Sequence, residues 1–435
     1  MRETKRSHYK FISLDCFLPR NDEINYSRSI IELYFAAMSS FLKHTFLNPL
    51  SEFIHDSRAV GIMLLSCTFV SLLVANMSFT KEWYQHLWSF SFDGTTAHQL
   101  HIGLLSLPNS PLLIINDLLM AVFFFLAGME IKREMVAGEL ASFKKSILPF
   151  AAAIGGMAVP AILFATINKG TGYTKGWAIP TATDIAFTLG IASLLGNRVP
   201  VALKIFLTAL AIIDDLGAIV VIALFYGGKL KLLYLLGCTG IVGLLLLMNK
   251  LKIKFGIWNF VLGILLWYCM FNSGIHATVA GVVFAFLVPT KYLENFELKL
   301  HAPVYFIIMP IFALANTAIE FPTNMLQSLS GTLSWGIIIG LFVGKPTGIC
   351  LASFILIKTK LAELPTDTNW HQILGAGMLA GIGFTMSIFI ATLAFTSVVE
   401  QDIAKISVLL ASFIAMLIGC LWLKTGTKKV LPQRH

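Results

Sequence analysis

The chain has 435 residues, of which 57% are hydrophobic and only 13% charged, with a mean hydropathy of +0.79. Soluble domains are roughly a quarter charged, so a water-facing surface cannot be built from this composition, and the chain reads as an all-α polytopic membrane protein. Its net charge of +9 lies in short loops and tails rather than along a groove, which argues for control of membrane topology and against nucleic-acid binding.

Residues 1–58 alternate charged and polar stretches around a mildly apolar patch, Ser29 to Phe46. A cationic start, an apolar core and a small-residue cleavage site do not follow one another, so the segment is expected to be a polar cytoplasmic extension rather than a signal peptide. A transmembrane domain is expected over 59–424 and a short cytoplasmic tail over 425–435. Crossing a ~30 Å hydrocarbon core takes about 20 apolar residues. About twelve such stretches follow, near 59–77, 112–131, 146–167, 176–195, 203–227, 232–249, 256–272, 275–289, 303–319, 333–357, 373–395 and 403–423. The seventh and eighth are short and separated only by Asn272, Ser273 and Gly274. Between the first two spans, Ser89 to Ser110 holds Gly94 and the alternating apolar residues Leu100, Ile102 and Leu104, a pattern compatible with an extracytoplasmic hairpin over 89–110. The six cysteines are scattered and make no metal-binding spacing. A P-loop, a dinucleotide-binding glycine motif and a zinc motif are all absent from the sequence, so no cofactor is expected.

The basic residues orient these spans. Alternate loops on one side, with the C-terminal tail, hold 17 Lys and Arg, against 6 on the other side. The positive-inside rule then puts both termini in the cytoplasm. Lys345, in GLFVGKPTG, reads as the only basic residue in the hydrophobic core. Acidic residues within spans are few: Asp214 and Asp215 in the middle of span five, Asp184 in the middle of span four, Asp117 in the first turns of span two and Glu130 at its cytoplasmic end.

An ionised side chain at the bilayer centre costs roughly 2.5–3.5 kcal/mol even on lenient insertion scales, so three aspartates and a lysine cost on the order of 10 kcal/mol. Residues kept at that cost point to a watery site with mutual partners rather than to helix glue, which is usually Ser, Thr or Asn. Neighbours on a helix point about 100° apart, so Asp214 and Asp215 cannot face the same way. One can line a cavity while the other reaches a partner such as Lys345. Two carboxylates this close resist simultaneous ionisation. They can bind a small hard cation when ionised and carry protons when not. Competition for one site, combined with alternating access, is sufficient for exchange.

Two spans carry break signals. Span four holds Pro180-Thr181-Ala182-Thr183-Asp184; span eleven holds Gly375, Gly377, Gly381 and Gly383. IAFTLGIASLL from Ile185 pairs with IGFTMSIFIATL from Ile382. In this layout the two spans run in opposite directions, as in inverted-topology repeats with interrupted, crossing helices. A half-helix N-terminus is positive and its C-terminus negative, which suits Asp184 to the first and Lys345 to the second. Close helix packing is the plainer account of the glycines.

The motifs INDLLMAVFFFLAGMEIKRE from Ile115, GWAIPTATDIAF, LKIFLTALAIIDDLGAI, SGIHATVAG, GKPTG and GIGFTMSIFIA, in this order over residues 59 to 424, resemble the NhaA-type sodium/proton antiporter family. The resemblance implies a bacterial inner-membrane secondary transporter, not an enzyme. It would export cytoplasmic Na+ or Li+ against external H+ in an electrogenic cycle activated at alkaline pH. It also implies a homodimer joined through the hairpin region. Asp214 and Asp215 match the essential pair that holds Na+ and protons, and Thr183 and Asp184 the pair in the unwound span four. Lys345 matches the core lysine of charge compensation. Glu130, Arg133 and Glu134 match a cytoplasmic cluster linked to pH sensing, and Glu297 and His301 the acidic and histidine positions before span nine. A family histidine next to the Glu297 position is Leu298 here, and the N-terminal extension exceeds the family's short start. His276, in SGIHATVAG, is either a proton sensor or a polar cap at a helix start. Asp117 is expected to be an interfacial charge favoured by the helix dipole, and Glu130, Arg133 and Glu134 by themselves make an ordinary interfacial ion-pair cluster.

Three other readings compete. A sodium-coupled solute symporter would need an organic-substrate cavity beside the cation site. An intramembrane aspartyl protease needs its two aspartates on different helices facing across a water, whereas these are adjacent in one span. A scaffold or receptor leaves the mid-membrane charges without a reason.

Overall fold

The computed structural model describes residues 57–426 apart from 96–98, 104 and 323. The expected N-terminal extension, all but the start of the C-terminal tail, and Leu104 of the hairpin therefore lie outside the described residues, apart from 57–58 of the extension.

The described chain is helical almost throughout. In lipid every backbone N–H and C=O must be bonded within its own segment, and a helix does this locally. In chain order come α1 (Ser57–Asn76) and α2 (Lys81–Ser89), then β1 (Gln99–Ile102) and β2 (Leu105–Pro108). These are followed by α3 (Pro111–Ala137) and α4 (Phe143–Ile167), and by a 3₁₀ helix (Gly172–Thr181) that leads into α5 (Ile185–Leu194). Next are α6 (Val201–Phe225), α7 (Leu232–Lys250), α8 (Ile257–Ser273), α9 (Val279–Leu287) and α10 (Thr290–Asn316). The chain ends with α11 (Thr332–Lys358), α12 (Trp370–Ala380), α13 (Phe384–Ala394) and α14 (Val398–Gly426). β1 and β2 pair antiparallel with Ile102 opposite Leu105.

Eight described helices are long and apolar enough to cross a membrane, and two bent pairs make further broken spans. The protein is thus an all-α polytopic membrane protein. The two remaining expected spans are the short ones. α8 has 17 residues and α9 only nine, about 25 Å and 14 Å of helix, so α9 by itself does not reach across the hydrocarbon. Its C-terminal end is closed by Lys132, whose Nζ donates to the carbonyls of Phe286 at 2.8 Å and Val288 at 2.5 Å. A lysine at free terminal carbonyls satisfies acceptors that a longer helix would have used itself.

Two packing pairs frame the interior: α11 runs along α4, and α9 along α3. α4 and α11 touch backbone to backbone at Gly155 and Gly348, where a Cβ on either would fall 2.0–2.3 Å from the other's carbonyl oxygen. No residue but glycine fits there. Lys345 is one turn before Gly348, so this contact sets its side chain deep in the bundle. Three helices carry a π turn, at Ile115–Leu119 in α3, Val304–Ile308 in α10 and Gly340–Gly344 in α11, the last directly before Lys345. Such turns loosen the i→i−4 ladder and recur at functional sites.

Two expectations need correction. Asp117 is not an interfacial charge. α3 starts at Pro111, capped by Ser110, whose Oγ accepts from Leu113 N. Asp117 therefore lies beyond the first turn where the dipole acts, and it is buried, with Trp267 Nε1 donating to its carbonyl at 2.9 Å. Nor is Lys345 the only buried basic residue. α14 begins at Val398, which puts Lys405 inside the helix; it is buried, 4.0 Å from Asp402.

Candidate ion site

Both break signals produce real interruptions. The 3₁₀ helix and α5 meet at a 44° bend, and α12 and α13 at 46°. The two gaps, 182–184 and 381–383, cross, and Asp184 N donates to Ile382 O at 2.8 Å. The crossing pairs two helix starts. Asp184 caps α5, accepting from Phe187 N at 3.0 Å on Oδ1. Its Oδ2 accepts from Thr385 N at 3.1 Å and from the Thr385 hydroxyl, at the start of α13. One carboxylate thus serves two helix N-termini, where negative charge is favoured twice. The opposing half-helix ends are met by donors. Lys345 Nζ donates to Thr181 O, the last residue of the 3₁₀ helix. The Thr183 hydroxyl lies 2.9 Å from Ala380 O at the end of α12. Ser387 Oγ donates to Ile179 O at 2.7 Å, and Thr188 Oγ1 to Leu379 O at 3.2 Å. Glycine serves packing here as well as interruption: a Cβ at Gly381 would sit 2.6 Å from Leu341 O.

Asp214 and Asp215 stand in the middle of α6, with 1% and 2% of their surface exposed. They face different neighbours, as adjacent helical positions must. Asp214 Oδ2 receives the Lys345 ammonium and lies 2.6 Å from the Thr183 hydroxyl. Asp215 instead lines a small enclosed cavity with Asp184, Glu130, Tyr305, Met309 and Thr385. Oδ1 of each aspartate has no hydrogen-bond partner among the described residues. Buried carboxylate oxygens are normally satisfied, so an unbonded oxygen on each of two adjacent buried aspartates is unusual.

The cavity abuts a wider, more open funnel. Glu130, Ile185, Ala186 and Tyr305 line both. The funnel is lined further by Arg133, Glu297 and His301. There Arg133 bonds two carboxylates, Glu134 through Nη2 at 3.3 Å and Glu297 through Nε at 3.3 Å. Glu134 Oε2 also accepts from Glu139 N at 3.1 Å. The sequence-singled residues thus form two groups: Thr183, Asp184, Asp214, Asp215 and Lys345 around the crossing, and Glu130, Arg133, Glu297 and His301 along the funnel, with Glu134 joined to them through Arg133. His276 joins neither. It precedes α9, with Nε2 2.8 Å from the Tyr226 carbonyl oxygen.

Sequence reasoning did not single out Tyr305 or Thr385. Tyr305 follows Glu297 and His301 at successive intervals of four, which is one helix face, and that spacing was the available signal. Thr385 lay within the FTMS stretch, but nothing local tied it to Asp184.

The fold and these residues agree with what comparison finds. The family described as Na+/H+ antiporter 1 matches residues 51–423. The chain belongs to this family. It is therefore a secondary transporter rather than an enzyme. Similar proteins include the Na(+)/H(+) antiporter NhaA 2 of Flavobacterium johnsoniae, 47% identical over 92% of this chain and 97% of that protein. The Na(+)/H(+) antiporter NhaA of Cytophaga hutchinsonii is 45% identical over 88% and 96%, and that of Citrobacter koseri 44% identical over 88% and 100%.

Proposed function

We propose that the chain exports cytoplasmic Na+ or Li+ in exchange for external H+ by alternating access, with cation and protons competing for Asp214 and Asp215. The observation that carries this reading is the unequal pair. Lys345 and Thr183 hold Asp214 from one side, while Asp215 opens to the cavity with an unbonded oxygen. A small monovalent cation takes oxygen ligands, which two carboxylates and the nearby threonines supply. Protonation removes the negative charge that attracts it. Two carboxylates also offer two proton positions against one monovalent cation, which supports an electrogenic cycle. The crossing lets the half-helices shift as rigid pieces, so that access can alternate around a fixed site.

The funnel is read as cytoplasmic from the basic-residue bias, with both termini inside and the protein in the bacterial inner membrane. Its Arg133–Glu134–Glu297 network with Glu130 and His301 is read as the pH-responsive element, with His276 as a second one at the opposite end. A homodimer joined through the β1–β2 hairpin is consistent with Ile102 and Leu105 being exposed at its tip.

The test uses proteoliposomes with an imposed proton gradient and a fluorescent amine reporting internal pH. Sodium and lithium, but not potassium, should dissipate the gradient, more at pH 8.5 than at pH 6.5, and Asp215→Asn should abolish the response. An Asp215→Asn protein that exchanges sodium normally would remove the aspartate pair from the mechanism.

A further inference from the structure

Four residues line both the funnel and the cavity at Asp215, and so form the boundary between them: Glu130, Ile185, Ala186 and Tyr305. Of these Tyr305 is the largest, and it is buried although it borders both cavities. Its ring lies against the ring of exposed His301 on the funnel side, with centroids 4.6 Å apart and planes tilted by 53°. On the inner side it shares the cavity with Asp215 and Asp184. The residue sits on the π turn Val304–Ile308, directly after Pro303. There the regular ladder of hydrogen bonds is interrupted twice, once by the wide turn and once by the missing proline N–H. A bulky amphipathic ring at a constriction, mounted on the least regular part of its helix, is arranged to open and close that constriction.

We propose that Tyr305 is the inner gate of this transporter, its ring closing the way between funnel and Asp215 and moving aside, together with the His301 ring it packs on, to admit a cation. The Tyr305 hydroxyl and the Glu130 carboxylate then give a partly dehydrated cation two oxygens at the narrowest point. The inference rests on the reading of Asp215 as the ion site.

The gate is tested without relying on transport. Asp215→Cys is placed in a background whose native cysteines are replaced, and the purified, detergent-solubilised protein is treated with a small hydrophilic methanethiosulfonate. Tyr305→Ala should speed modification of residue 215 by about tenfold or more, the effect of a correspondingly lower access barrier. Tyr305→Phe, which keeps the ring, should leave the rate near that of the parent. Equal rates in all three proteins, or equal acceleration by Phe and Ala, would overturn the gate. Melting curves check that each variant is folded, with Tyr305→Leu replacing an alanine variant that is not.

The same Tyr305 changes in the otherwise native chain are then assayed for exchange. The alanine variant should shift the apparent KM for sodium more than the maximal rate, because entry rather than the site itself is altered; a fall in maximal rate alone, with KM unchanged, would count against the gate. A native protein that exchanges no sodium would defeat the proposed function, while the thiol rates would still decide whether Tyr305 closes the neck.

Discussion

Two aspartates near the middle of this bundle are equally buried and differently used. Asp184 is saturated. Both its oxygens accept bonds from the starts of two half-helices, and the chain at its own amide is bonded across the crossing. Asp215 has none of this. It borders a cavity with an oxygen that no described residue bonds. The cost of burying a carboxylate is offset at Asp184 by dipoles and hydrogen bonds, so its charge serves the architecture. At Asp215 no described hydrogen bond to Oδ1 offsets that cost, which in the proposed mechanism leaves the group available to a proton or a cation. Depth in the membrane does not tell structure from chemistry; the number of satisfied lone pairs does.

The contrast can be broken by exchanging the effects. Asp215→Asn should lose exchange to background and melt within a few degrees of the parent. Asp184→Ala should instead lower the melting temperature markedly, since it removes caps worth about 0.5–2 kcal/mol each from two helices. If the two variants lose stability equally, the distinction between them is wrong.

Lys345→Ala sharpens it next. Removing one partner of a buried pair typically costs on the order of 3–5 kcal/mol, and it also frees the Thr181 carbonyl. The variant should be less stable and its pH profile of exchange displaced, and adding Asp214→Asn should recover part of the stability. An unchanged profile would remove Lys345 from the mechanism. A smaller effect is expected from Ser387→Ala, which deletes one bond to a half-helix end. About 1 kcal/mol should be lost, read as a modest drop in melting temperature with sodium affinity unchanged.

The smallest effect lies outside the membrane. Asp93 accepts from the Thr95 amide at 2.9 Å and from Asn109 Nδ2 at 2.7 Å. The Thr95 amide, then Asn109 and the Thr95 hydroxyl, hold its carboxyl well below the usual range. A depressed pKa means that the turn's contribution is complete above the unfolded value near pH 4 and is lost as the pH falls through the folded value. Melting curves from pH 5 downward should therefore converge between the parent and Asp93→Asn as acidity increases. A difference independent of pH would show that Asp93 works by shape rather than charge.

Much of this was legible in the chain because membrane physics writes itself into composition. Apolar length gave the helices, Pro180 and the glycines around Gly381 gave both breaks, and the cost of intramembrane charge singled out Asp184, Asp214, Asp215 and Lys345 before any geometry was known. Motifs in family order gave the family. Local pattern failed where a residue's environment comes from another helix. Span two begins within a residue of where hydropathy puts it, yet Asp117 is buried because other helices cover it, with Trp267 of α8 donating to its carbonyl; Lys405 is likewise buried only once other helices pack on α14.

What only the tertiary structure decided is which partners meet. That Asp184 is shared between α5 and α13, that Asp214 rather than Asp215 takes the lysine, and that Tyr305 borders both the Asp215 cavity and the funnel all depend on segments brought together from distant parts of the chain. Local periodicity says which face of one helix is apolar. It does not say which carbonyl, ring or ammonium the neighbouring helix presents to that face, and in an interior where unsatisfied charge is costly, that choice decides which carboxylate is fully bonded and which keeps an open oxygen.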